Sequence, residues 1–159
     1  MNFSNIEKLK ENGFVGFKGI SDIKKDSFIL PDEKGVYFVI YPNRNHPKFL
    51  KKGTGGWYKG KNPNVSTKLL KCLWLKNSKV IYIGKADNLK RRIKKYIKFG
   101  QGENVSHYGG RLIWQIENRD DLTLCWKLTP EKNPREVEKE LIKEFEEHYK
   151  RKPFANLIR

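Results

Sequence analysis

Val80-Ile81-Tyr82-Ile83-Gly84-Lys85-Ala86-Asp87-Asn88-Leu89-Lys90-Arg91-Arg92-Ile93 changes its period half-way. Residues 79–84 form a short apolar, β-branched and aromatic run ending in glycine, the pattern of a buried strand. Beyond Asp87, placed to cap a helix, Leu89, Ile93, Tyr96 and Ile97 fall on one side of a helix that Gly100 stops. A second tripeptide, Gly35-Val36-Tyr37, opens another apolar run closed by Pro42, so residues 35–41 predict a second buried strand. The two strands carry one tyrosine each, with Lys85 just past one of them and Arg92 on the helix that follows. Phosphodiester chemistry asks for such a set, because hydroxyls take or relay protons and cations hold an anionic phosphate.

Working outward, Ser4 with Glu7 predicts a capped helix to about residue 11, closed by Gly13. Residues 42–66 are rich in Gly, Pro and Asn and predict an irregular excursion. A short helix over 67–76, a helix over 108–116 on Leu112, Ile113 and Ile116, and a third strand over 122–128 follow. Asn133 and Pro134 occupy the cap and first-turn positions of a last helix that runs to about residue 150. The expected fold class is α/β in the layered α+β sense: a small, mainly antiparallel three-stranded sheet flanked by helices. One domain over 1–159 accounts for the length, with residues 1–33 as an N-terminal extension and 42–78 as a basic insertion.

Thirty-four Lys and Arg against eighteen Asp and Glu, a net charge of +16, point to a polyanionic partner. Residues 34–86 hold twelve basic residues and no acidic one, interleaved with Trp57, Tyr58 and Trp74. That stretch suits phosphates, with rings for stacking, and Lys59 and Lys61 are its candidate DNA contacts. Arg91, Lys95, His107 and Arg111 are further candidates, although a loop histidine such as His107 is more often merely solvated. A membrane partner is disfavoured, since no apolar run approaches the roughly 20 residues of a spanning helix. The start of the chain lacks a secretory apolar core, so the expected location is cytoplasmic. Cys72 and Cys125 lie in apolar contexts and read as reduced core thiols. His46, His107 and His148 show no ligand spacing for structural zinc.

At about 100° per residue, Arg92 falls beside Tyr96 at the edge of the apolar stripe, while Arg91 and Lys95 point away from it. Arg92 thus faces the strands, or is one more surface cation; Tyr96 is ordinary core, or a second hydrogen bond to the same phosphate. On the last helix Val137, Leu141, Ile142, Phe145 and Tyr149 define the buried face, and Glu138 falls inside it. A carboxylate there is costly unless accompanied, so Glu138 is either a metal ligand or half of a buried ion pair. A hard ion such as Mg²⁺ or Mn²⁺, which keeps most of its waters, suits a site with so few acids.

The segment 80–93 is similar, nearly residue for residue, to the GIY-YIG nuclease superfamily, in particular the excision-repair nuclease subunit of bacteria. Gly35-Val36-Tyr37 resembles the other half of its signature. Glu138-Lys139-Glu140-Leu141-Ile142-Lys143 resembles its metal-binding helix, and Pro153-Phe154-Ala155-Asn156 its closing proline and asparagine. In that pattern the arginine comes ten residues after Tyr82, which selects Arg92 over Arg91. The resemblance implies the GIY-YIG nuclease fold and a single-metal endonuclease acting on duplex or branched DNA. Tyr37 would be the general base, its phenol pKa lowered by nearby cations. Tyr82 would orient the water or the phosphate, Lys85 and Arg92 would stabilise developing charge, and Tyr96 would support Arg92. Glu138 would hold the metal and Asn156 would fix the geometry. Residues 38–81 separate the two tripeptides, which the family usually joins by a short hairpin; such an insertion resembles the GIY-YIG restriction endonucleases. A non-catalytic DNA-binding module on the same fold is the alternative.

Overall fold

The computed structural model describes residues 1–157 and shows five α-helices around one four-stranded sheet. The order of elements is α1 (Ile6–Glu11), β1 (Val15–Gly19), α2 (Ile20–Lys25), β2 (Gly35–Ile40), α3 (Thr67–Leu73), β3 (Val80–Ala86), α4 (Leu89–Gly100), β4 (Thr123–Leu128) and α5 (Pro134–Tyr149). Every pairing is antiparallel and the spatial order is β1-β4-β2-β3. β2 is therefore central and β3 is an edge strand.

β2 is buried along its whole length. Its alternation feeds two cores, with Val36, Phe38 and Ile40 packed on one face and Tyr37 and Val39 on the other. The first core takes Phe3, Phe14, Leu141 and Phe145 from α1, α5 and their flanks; Phe14 stacks on Phe38 with centroids 4.2 Å apart. The second takes Leu89, Ile93, Tyr96 and Ile97 from α4, the side expected from the helical spacing, with Leu70 and Trp114. Burying each large side chain stabilises the fold by about 1.5–3 kcal/mol, so α4 and α5 are pinned to opposite faces of one sheet.

The sheet has four strands rather than three. The missing one is β1, inside residues 1–33, where the alternation is broken by Gly16 at φ +95° and Phe17 at φ +53°. The ladder to β4 shifts register there. A Cβ on Gly16 would stand 2.5 Å from the Trp126 ring, so the backbone approaches that indole as only glycine allows.

Other differences are local. The cap of α1 is Asn5, whose side chain accepts from the Lys8 amide, and the cap of α4 is Asn88 rather than Asp87. Residues 108–115 wind as a 3₁₀ segment, Tyr108–Gln115, kinked at Gly110. Gly110 sits under the Tyr96 hydroxyl, where a Cβ would lie 2.5 Å from the oxygen. Cys125 is buried, but Cys72 is exposed and is not a core thiol. Among the described residues no helix is long and apolar enough to cross a membrane.

Candidate active site

The free edge of β3 becomes one wall of a cleft. Its backbone is tied off by the C-terminal segment: Ala155 N donates to Ile81 O at 2.8 Å, while Asn156 Oδ1 accepts from Ile83 N at 2.9 Å and its Nδ2 donates to Ile83 O at 2.8 Å. The Asn156 side chain thus replaces a neighbouring strand at one residue and leaves the rest of the edge facing α4 and α5. Between those helices opens a cleft of about 1080 Å³.

Tyr82, Lys85, Arg92, Glu138 and Asn156 all line it, although they come from β3, α4, α5 and the C-terminal segment. Its cations are Lys85, Arg91, Arg92, Lys95, Arg111, Arg135, Lys139 and Lys152, eight against the two acids Asp87 and Glu138. Such a concavity raises the local concentration of phosphates. Among the described residues there is no group of three or more His, Cys, Asp or Glu that could hold a metal ion. That donor set excludes an all-protein cage, yet it fits a hydrated Mg²⁺ held by one carboxylate together with substrate oxygens.

Tyr37 is elsewhere. β2 pairs with β3 so that Tyr37 lies opposite Gly84. A Cβ on Gly84 would meet the Tyr37 ring at 2.5 Å, so the glycine of one tripeptide makes room for the tyrosine of the other. The Tyr37 ring is 0% exposed. Its hydroxyl shares a 3.1 Å hydrogen bond with His107 Nε2 and interacts with Tyr82 and Arg92. Burial, with Tyr82 adding to it, pushes the Tyr37 phenol well above its ordinary pKa despite Arg92. The lowering expected from nearby cations is thereby corrected: desolvation outweighs them. Tyr82, at 7% exposed, has its ring centroid 6.0 Å from that of Tyr37 and, unlike Tyr37, lines the cleft.

Two more expectations are corrected. Tyr96 is buried and donates its hydroxyl to Gly110 O at 2.6 Å, so it is core, with its hydroxyl committed to that carbonyl rather than offered to a phosphate. His107 is 1% exposed and stacked 4.0 Å from Tyr96, hence neither solvated nor on a DNA-facing surface. Arg92, half-buried, reaches from α4 to Ser106 O at 3.3 Å, just before that histidine. Of the candidate DNA contacts, Arg91, Lys95 and Arg111 line the cleft and Lys59 and Lys61 lie outside it.

Asp87, Tyr108, Arg135, Lys139 and Lys152 also line the cleft and were not read from the sequence. For two of them the signal existed: Arg135, Glu138, Lys139 and Ile142 share one helical face. Glu138 is half-buried at the cleft-side edge of the α5 apolar face rather than at its centre, with Leu141 and Phe145 forming the buried row.

The GIY-YIG catalytic domain model matches residues 72–152. The chain belongs to the GIY-YIG family. The match takes in Tyr82, Lys85, Arg92 and Glu138, while Gly35-Val36-Tyr37 lies before it and is joined to the GIY-YIG segment by strand pairing. No curated protein and no solved structure gives a significant match.

Buried His107 should make the stability of this GIY-YIG core depend on pH. Burial, reinforced by the Arg92 charge, holds its imidazole well below the ordinary value of 6.5. The folded state therefore refuses a proton that the unfolded chain accepts, so stability is intact above about pH 6.5 and is lost as the pH falls towards the folded pKa. One such proton gives a limiting slope of about 1.4 kcal/mol per pH unit. Urea unfolding from pH 7.5 to 5 should show this loss, and His107→Gln should flatten it relative to the parent.

Proposed function

We propose that this protein is a metal-dependent endonuclease that hydrolyses DNA phosphodiesters in the cleft along β3. The observation that carries the reading is the convergence of Tyr82, Lys85, Arg92 and Glu138, from three separate elements, on one cation-rich cleft. Glu138 would hold Mg²⁺ or Mn²⁺. When bound, the ion supplies electrostatic stabilisation of the phosphate and leaving oxygens.

The protein's own groups divide the remaining work. Tyr82, on the cleft wall beside Lys85, would orient the attacking water and relay its proton. Water oxygen bonds to phosphorus as its proton passes through the Tyr82 hydroxyl to solvent, the bond to the leaving sugar oxygen breaks and that oxygen takes a proton from solvent, while Lys85 and Arg92 stabilise the charge gathering on the non-bridging oxygens. Tyr37, bonded to His107, holds Tyr82 and Arg92 in place from behind. Asn156 locks the β3 backbone on which Tyr82 and Lys85 stand.

Incubation of the protein with Mg²⁺ and plasmid, then with branched, flapped and single-stranded DNA, tests the reading. Cleavage of at least one substrate, abolished by EDTA, is expected. Binding should weaken with salt, the slope of log K against log salt being about −0.9 for each phosphate neutralised. Binding without cleavage on every substrate would reduce the protein to a DNA-binding module on this fold. A flat salt plot would remove DNA as the partner.

A further inference from the structure

The acid-free insertion between β2 and β3 is not a loose loop. Buried Gln115 donates from Nε2 to Leu50 O at 3.0 Å and Val65 O at 2.9 Å, and its Oε1 accepts from Val65 N at 2.9 Å. Gly56 N donates to Phe99 O at 2.8 Å, and Lys59 N to Asn104 Oδ1 at 3.3 Å. The Tyr108 hydroxyl donates to Asn62 O at 2.8 Å. These bonds fix the Trp57 to Lys61 segment against the end of α4 and the 3₁₀ segment.

What the segment displays is a row of rings and cations. Arg111 lies 3.9 Å from the Tyr108 ring centroid, Lys61 lies 5.9 Å from the same ring, and Lys59 lies 5.4 Å from that of Tyr58. Trp57 ends the row with 49% of its surface exposed. The row starts inside the cleft, because Tyr108 and Arg111 are two of its walls. A basic aromatic path therefore leads from the proposed reaction centre out to Trp57.

We infer that this row is a track for single-stranded DNA leaving the cleft, so that the preferred substrate is a duplex bearing an unpaired arm; the inference rests on the nuclease reading of the cleft. A duplex shows phosphates and groove edges but hides the faces of its stacked bases. Lysines alone would serve a duplex. A tryptophan on a fixed backbone segment with half its surface in water, beside cations spaced along the path, suits base faces and their phosphates together, without regard to sequence. Pre-fixing the segment through Gln115 spares the ordering cost a mobile loop would meet on binding.

The test measures affinity of the wild-type protein in EDTA for a blunt duplex and for the same duplex with a ten-nucleotide oligo-dT arm. The arm should tighten binding by at least about tenfold, the worth of one or two stacked bases. Trp57→Ala should bring that ratio close to one, and the arm should quench tryptophan fluorescence in the wild type but not in Trp57→Phe. No gain from the arm, or a gain that survives Trp57→Ala, overturns the track. Mg²⁺-dependent plasmid cleavage is scored separately. Cleavage with no gain from the arm sinks the track alone, and a Trp57-dependent gain without cleavage upholds the track while removing the nuclease reading.

Discussion

Tyr82→Phe lowers the single-turnover cleavage rate by at least the roughly 10²-fold that a lost general acid or base costs, and Tyr37→Phe lowers it less. The order follows from burial. Tyr82 stands on the cleft wall, whereas Tyr37 is sealed behind it with its hydroxyl committed to His107. A phenol whose pKa is pushed up by burial is a poor site for an exchangeable proton. Removing the Tyr37 hydroxyl instead strands the His107 Nε2 in the core, an unsatisfied group that costs about 1–3 kcal/mol of stability. Tyr37→Phe should therefore show itself in urea unfolding more than in chemistry. If its cleavage rate falls as far as that of Tyr82→Phe at unchanged stability, the two phenols act as one relay and Tyr37 regains the role of base.

The contrast between the two tyrosines marks where sequence reading stops. Both sit in apolar runs of the same kind, so periodicity places each on a strand and assigns neither to the surface. Their different exposure comes from strand order, which makes β2 central and β3 an edge, and from β1, whose pairing to β4 completes the sheet. β1 carries no strand period because Gly16 and Phe17 leave extended geometry and break its alternation. By contrast α4 and α5 were legible, since long amphipathic helices repeat their pattern often enough to fix a face; Arg92 and Glu138, read from those faces, do reach the cleft. His107 shows the opposite failure. Its neighbours Ser106 and Gly109 suggest an exposed loop, and only the stacking on Tyr96 and the bond to Tyr37 draw it inside. No local pattern encodes contacts made by residues 11 and 70 positions away.

Glu138→Gln abolishes Mg²⁺-dependent cleavage without unfolding the domain. Glu138 and Asp87 are the only carboxylates on the cleft among the described residues, and Glu138 alone belongs to α5, opposite Arg92 on α4. The substitution keeps the shape and polarity of a half-buried side chain, so thermal unfolding should shift little. Loss of the ion is read directly by Mn²⁺ titration followed by electron paramagnetic resonance, which separates a missing ligand from a misfolded site. DNA affinity in EDTA should hold or rise, because one negative charge has gone from among eight cations. Glu140→Gln serves as the control: two residues along the helix it points about 200° away and is exposed, and it should cleave like the parent. An essential Glu140 beside a dispensable Glu138 would mean that the metal sits on another face of α5. An active Glu138→Gln that still binds Mn²⁺ would move the ligand to Asp87, whose own substitution then decides the matter.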